Sequence, residues 1–161
     1  MATLPHLNEE DQERIQSALG DFLAKSEAEI ALVTAEGGYV LFQASTFRPG
    51  LDETSLGALA SNAFAASQMI AGMIGEPNFN SLYQQGEKFS LLVQTIDRDN
   101  NCLVVVFPAH ISVGAVKYYA VMATQAIAEQ LARARQRAPG AGIDPAMLNL
   151  QNPSEIFQKR P

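Results

Sequence analysis

The stretch from Thr54 to Gly75 contains no charged side chain. Asp52 can cap a helix at its start, and Gly75 followed by Glu76-Pro77 predicts its end. A membrane-spanning helix needs about 20 predominantly apolar residues, whereas this stretch is rich in Ala and Gly and has no flanking basic cluster. The sequence therefore predicts a buried helix of a soluble protein, without a membrane span. The polar residues that interrupt the stretch are Ser55, Ser61, Asn62, Ser67 and Gln68.

A helix that is uncharged around its whole circumference is expected to be buried on more than one side. On a helical wheel we assign one apolar sector to the chain's own sheet. A second sector of mostly small residues permits close approach of a second chain, and a third carries methionines, which suit adaptable binding surfaces. Other helices of the same chain are the alternative cover. The sectors are Leu56, Leu59, Ala60, Ala63, Ile70 and Ile74; then Gly57, Ser61, Phe64, Ala65, Gln68 and Gly72; then Ala58, Asn62, Ala66, Met69 and Met73.

The rest of the domain alternates between helix and strand patterns. Asn8 predicts the cap of an amphipathic helix, and Ser112 predicts the cap of a last helix that ends near Arg137. Between them, runs of β-branched and aromatic residues are separated by turn sequences. The order α-β-β-α-β-β-β-α predicts an α/β (α+β) fold, a five-stranded, mostly antiparallel sheet between helices. The predicted strands are Ile30–Thr34, Tyr39–Ala44, Ser81–Gln85, Phe89–Ile96 and Cys102–Phe107.

The composition changes after Pro139, where P-G-A-G resembles a linker. We therefore divide the chain into a domain, residues 1–137, and a Pro-containing C-terminal tail, residues 138–161. The tail is either disordered or a docking segment that folds on binding. Its apolar residues, unusual for a solvated tail, are Met147, Leu148, Leu150, Ile156 and Phe157.

Composition and motifs disfavour several classes of function. A net charge of −6 and a pI near 4.8 disfavour nucleic acid, which requires a basic surface. The chain has neither a G-x-x-x-x-G-K-[ST] nor a G-x-G-x-x-G motif. His6 and His110 lack the spacing of metal ligands. We therefore expect a binding protein with no catalytic residue, no metal and no cofactor.

The single cysteine and the N-terminus bear on the cellular compartment. Cys102 lies in the apolar run C-L-V-V-V-F and cannot form an internal disulfide, which fits a reducing compartment. The first residues lack the basic and apolar regions of a signal peptide. We expect a cytoplasmic protein.

The sequence resembles Roadblock/dynein-light-chain domains over roughly Asn8 to Arg137. The resemblance rests mainly on S-L-G-A-L-A-S-N-A-F-A-A-S-Q-M-I-A-G-M-I-G-E-P-N-F-N-S-L-Y-Q-Q-G-E, and also on C-L-V-V-V-F-P-A-H-I-S-V-G-A-V-K-Y-Y and A-L-V-T-A-E-G-G-Y-V-L. Within this family it is most similar to bacterial MglB-type regulators of Ras-like GTPases. The resemblance implies two helices on one face of the sheet and the central helix on the other.

The resemblance also implies partners. Family members dimerise through third strands and central helices, and they bind small GTPases, whose hydrolysis they can stimulate without supplying a catalytic group. We assign two residue sets on this basis, although the opposite partition of the helix stays open. The dimer interface is Gly57, Ser61, Phe64, Ala65, Gln68, Gly72, Ser81, Leu82, Tyr83 and Gln84, and the GTPase-binding set is Asn62, Ala66, Met69 and Met73.

The leading hypothesis is a homodimeric, non-enzymatic regulator, GTPase-activating or co-regulatory, of a bacterial Ras-like small GTPase. One alternative is an assembly scaffold that binds partners without changing GTP hydrolysis. Another is a PAS- or GAF-like ligand sensor, which also covers a sheet with helices but requires an internal cavity.

Overall fold

The computed structural model describes residues 4–46, 50–137 and 142–143. In this part of the chain, three helices and a five-stranded antiparallel sheet follow the predicted order α-β-β-α-β-β-β-α, so the predicted fold class is confirmed. Most of the predicted tail, residues 138–141 and 144–161, lies outside the described residues. The elements are β1 (Leu4–Pro5), α1 (Glu9–Ser26), β2 (Ile30–Thr34), β3 (Val40–Ser45), α2 (Glu53–Met73), β4 (Ser81–Gln85), β5 (Phe89–Thr95), β6 (Cys102–Pro108), α3 (Val113–Arg137) and β7 (Gly142–Ile143).

The strands of the main sheet lie in the order β3-β2-β6-β5-β4. The central strand β6 pairs with β2 and with β5, so that Val104 lies opposite both Leu32 and Val93. A strand buried on both faces is expected to have a continuous apolar run, which explains C-L-V-V-V-F. The edge strands are β3 and β4. Outside this sheet, β1 pairs with β7, a contact that the sequence does not predict.

Helices α1 and α3 cover one face of the sheet. Ile15 and Phe22 of α1 and Ile127 of α3 pack with Val33 and Val105 in the larger apolar cluster. The two helices run antiparallel, because the start of α1 contacts the end of α3: Asp11 accepts hydrogen bonds from Gln130 and Arg137. Asn8 and Asp11 also form a capping box at the start of α1.

Helix α2 covers the other face, but with a different sector from the one predicted. Leu59, Ile70 and Ile74, assigned from sequence to the chain's own sheet, are exposed, so the assignment is wrong for these three residues. Ala60 and Leu56 of the same predicted sector do pack on the sheet. The other buried positions of the helix are mostly small residues, which allow the helix axis to lie close to the strands. The residues of α2 that are buried are Gly57, Ala60, Phe64, Ser67 and Ala71.

The predicted element bounds agree closely with the structure. Helix α2 begins at Glu53 and ends at Met73, and β3 runs from Val40 to Ser45 rather than from Tyr39 to Ala44. None of the helices in the described ranges has the length and apolar character needed to cross a membrane. The uncharged helix is therefore an element of this α/β domain, with a large exposed surface.

Candidate protein-interaction site

The outward surface of α2 is apolar and lacks contacts within the described chain. The exposed fraction is 67% for Leu59, 53% for Ile70 and 86% for Met73. No charged residue follows Glu53 along the helix. A contiguous apolar surface of this kind on a soluble domain marks a site of interaction with another molecule.

Glycines determine how closely α2 approaches the sheet. A Cβ atom at Gly57 would lie 2.7 Å from Cγ2 of Val40, and one at Gly38 would lie 2.6 Å from Cα of Ala58. Gly38 also has φ of +86°, a conformation that side-chain-bearing residues rarely adopt. The β2–β3 turn therefore packs directly on the first half of α2. This close contact fixes the helix and, with it, the outward apolar surface.

The second half of α2 is attached to the chain that leads into β4. The Gln68 side chain donates a hydrogen bond to the Phe79 carbonyl oxygen (2.7 Å) and accepts one from the Phe79 N–H (2.8 Å). This paired contact satisfies both ends of the side-chain amide. Gln68, assigned from sequence to the dimer interface, thus has a role within its own chain.

The structure divides the predicted dimer-interface residues of α2. Gly57 and Phe64 are buried against the chain's own sheet, so they are not available to a second copy. Ser61, Phe64, Ala65 and Gln68 lie together along an open cavity of about 700 Å³, which the β2–β3 and β5–β6 turns also line. Gly72 is exposed. The cavity faces a different side of α2 from Leu59 and Ile70.

The four predicted residues of β4 lie on an edge strand, because β4 pairs only with β5 in the described sheet. Leu82 packs below α2, and Tyr83 points to the opposite face, where its ring stacks on Phe107 at 6.2 Å. Ser81 is half-buried and Gln84 is exposed. The outer edge of β4 retains backbone hydrogen-bonding groups on the side away from β5, which can extend a sheet across a two-fold axis.

The predicted GTPase-binding residues lie on one exposed surface. Asn62, Ala66, Met69 and Met73 are all exposed and are separated by three or four positions along α2, which places them on one side of the helix. Sequence analysis missed Leu59, Ile70 and Ile74 as parts of this surface. The sequence signal for these three residues was their large aliphatic side chains, but such side chains are also typical of core residues.

The strongest polar contacts of the domain are structural. Asp97 accepts hydrogen bonds from Asn101 and Arg135 at the β5–β6 turn, and Arg135 also pairs with Asp99 at 2.6 Å.

Burial, with a further contribution from the charge of Asp97, raises the pKa of Cys102 to about 12. A thiol with this pKa remains protonated and is a poor nucleophile. Within the described ranges, no three His, Cys, Asp or Glu residues are placed to hold a metal ion.

Comparison of the sequence with family models and with curated proteins gives no match. Solved structures do match. A structure described as "MglB with tetrameric arrangement" has a TM-score of 0.76 and 26% identity, covering 83% of this chain and 99% of that one. The gliding protein MglB of Thermus thermophilus has a TM-score of 0.74 and 27% identity, with the same coverage. A Roadblock/LC7 domain of Streptomyces avermitilis has a TM-score of 0.65 and 14% identity, covering 73% of this chain and 97% of that one.

The fold, a five-stranded sheet with α1 and α3 on one face and α2 on the other, is that of the Roadblock-like proteins. Within this fold class, the chain is similar to the MglB structures, at 26% and 27% identity. The recognition made from sequence is therefore confirmed.

Proposed function

We propose that this protein is a homodimeric regulator of a bacterial Ras-like small GTPase and that it acts in the cytoplasm. The observation that carries the proposal is the uncharged outward surface of α2, which has no cover within the described chain. The similarity to MglB structures supports it, because MglB-type proteins are the regulators that the sequence resembles. We divide the chain into a regulatory domain, residues 1–137, and a tail, residues 138–161, of which Gly142 and Ile143 pair with β1.

The exposed surface of α2 is large enough to be divided between two partners. We assign Ile70 and Ile74, with the outer edge of β4, to the second copy, because branched aliphatic side chains suit an interface that is permanently covered. They replace Gly57 and Phe64, which the chain's own sheet covers. Ala65 and Gly72 remain candidates for the same interface.

We assign the remaining exposed surface to the GTPase. Asn62, Ala66, Met69 and Met73 provide an adaptable surface, because unbranched methionine side chains repack easily around a transient partner. None of these residues can act as an acid, a base or a nucleophile. Stimulation of hydrolysis would therefore act on the GTPase's own catalytic groups by changing their positions.

The test combines two measurements on the purified full chain. Light scattering measures its mass, and GTP turnover is followed for Ras-like GTPases from the same genome with and without the protein. A dimer that accelerates turnover supports the proposal. Binding with unchanged turnover would support the scaffold alternative, and no binding in any nucleotide state would contradict the proposal.

The cavity of about 700 Å³ beside α2 bears on the ligand-sensor alternative. Its volume lies in the range of small-molecule sites, roughly 300–1,000 Å³. Phe64, Phe79 and Cys102 give it apolar walls, and Asn78 and Asn80 contribute polar groups. A compound that raises the melting temperature of the natural chain but not that of Ala65→Trp would favour the ligand-sensor alternative.

A further inference from the structure

A second exposed apolar surface lies on α3, on the face of the sheet opposite α2. The exposed fraction is 64% for Tyr118 and 47% for Met122, and Val121 is also exposed. Beside them, α1 and α3 enclose a groove of about 190 Å³. The residues that line this α1–α3 groove are Ala18, Asp21, Phe22, Lys25, Tyr119, Met122, Ala123 and Ala126.

The C-terminal part of the chain leaves the domain at the edge of the same helical layer. Leu4 pairs with Ile143 in the β1–β7 contact, directly before α1. Arg137, the last residue of α3, pairs with Asp11 in the first turn of α1. Residues 144–161 therefore continue from the end of the layer at which α1 begins and α3 ends.

The tail is long enough to reach the groove. From Arg137 back to Met122 along α3, the distance is about 22 Å at a rise of about 1.5 Å per residue. Leu150 lies seven residues after Ile143, which corresponds to about 23–25 Å in an extended chain. Phe157 lies fourteen residues after Ile143, a segment that can extend to about 46–50 Å. Both lengths are at least as great as the distance to the groove, so the tail can place an apolar side chain there.

The tail also matches the chemistry of the groove. The groove is apolar, with one acidic and one basic group on its rim, Asp21 and Lys25. In the tail, Ile156-Phe157 lies between Glu155 and Lys159. The apolar pair of the tail thus matches the apolar lining of the groove.

We propose that residues 144–161 bind in the α1–α3 groove of their own chain, with Ile156 and Phe157 against Tyr119 and Met122. The tail covers this apolar surface and leaves the outward surface of α2 free. The inference does not depend on the proposed GTPase, because its test uses the full chain alone.

The test measures the distance between spin labels at Gln125→Cys, beside the groove, and Gln158→Cys, beside Phe157. Cys102 is buried and does not take the label. We expect a population of molecules with a short distance between the two labels. Met122→Glu is expected to lower that population about tenfold. Met122 is exposed, so this change leaves the core intact. The matched control is Met73→Glu, on the opposite face, which leaves the short distance unchanged.

The same measurement separates the possible occupants of the groove. Dilution of the labelled chain with an excess of unlabelled chain leaves an intrachain distance unchanged. Loss of the short distance on dilution would assign the groove to the tail of a second copy and would overturn the proposal. A long distance that Met122→Glu does not alter would overturn it as well.

Discussion

Asp11 and Arg137 are 126 positions apart in the sequence and form an ion pair in which the Asp11 side chain is fully buried. Asp11 also accepts hydrogen bonds from the Asn8 N–H and from the Gln130 side chain. One carboxylate therefore joins the first turn of α1 to the last turn of α3.

Replacement of Asp11 is expected to destabilise the domain strongly. Asp11→Ala removes one of the two capping-box hydrogen bonds and leaves the buried side-chain amide of Gln130 without its acceptor, which together are expected to cost about 2–4 kcal/mol. Urea unfolding measures the change. The matched control is Glu10→Ala, which removes the exposed Glu10–Arg14 pair (2.7 Å) and is expected to cost about 0.3–0.5 kcal/mol. Equal losses in the two variants would contradict this account of Asp11.

The same residue predicts how stability depends on pH. Burial would raise the pKa of Asp11, but hydrogen bonds from Arg137, Asn8 and Gln130 together outweigh it and hold the pKa below its usual value of 3.8. A lowered pKa in the folded state contributes stability above pH 3.8 that is lost as the pH falls through the folded-state value. Unfolding free energies measured from pH 6 to pH 2 should therefore fall less steeply in Asp11→Asn than in the natural chain.

Gly57 and Gly72 of α2 should respond in opposite directions to the same change. Gly57→Ala places a Cβ 2.7 Å from Val40, and the resulting overpacking is expected to destabilise the domain by about 1–3 kcal/mol. Nothing lies within 4 Å of the corresponding position at Gly72, so Gly72→Ala is expected to stabilise the helix by about 0.5–1 kcal/mol. Thermal unfolding distinguishes the two. A loss of dimer in Gly72→Ala would instead place Gly72 in close contact with the second copy.

Two variants of the outward α2 surface should separate dimerisation from regulation. Ile70→Glu introduces a charge into the proposed dimer interface, and we expect its dissociation constant to rise at least about tenfold. Met73→Glu should leave the dimer intact and lower GTPase stimulation by about tenfold or more. Light scattering and GTP turnover measure these effects. If Ala65→Glu separates the copies and Ile70→Glu does not, the interface lies on the cavity side of α2.

Cys102 should be unreactive in the folded protein. Its pKa of about 12 and its burial in β6 keep the fraction of thiolate small at neutral pH. We expect alkylation by iodoacetamide at pH 7.5 to be at least about a hundredfold slower than in urea-unfolded protein. Mass spectrometry measures both rates. Rapid alkylation of the folded chain would show that the strand opens frequently.

Sequence predicted the elements well because their patterns are local. The amphipathic pattern after Asn8 has only one apolar face, and Ile15, Leu19 and Phe22 on that face are buried. The continuous apolar run C-L-V-V-V-F likewise predicted the strand β6. These signals depend on the periodicity of a single element and do not require knowledge of its neighbours.

The orientation of α2 could not be predicted in the same way. All of its sides are uncharged, so the wheel could not show that the small residues Gly57 and Ala60 face the sheet while Leu59 and Ile70 face outward. The choice depends on how closely the helix approaches Val40 and the β2–β3 turn, which is a tertiary property. The Asp11–Arg137 pair escaped prediction for a related reason, because no local pattern joins residues so far apart.

The β1–β7 contact has a practical consequence for attaching this protein to other objects. Leu4 and Ile143 are paired strand neighbours, so a tether joined before the first or after the second starts from one corner of the molecule. That corner belongs to the layer of α1 and α3, on the far side of the sheet from α2. A protein anchored to a sensor chip or a bead through either of these tethers should therefore present the outward surface of α2 to the solution. Attachment before Leu4 and attachment after Ile143 should then give the same binding response.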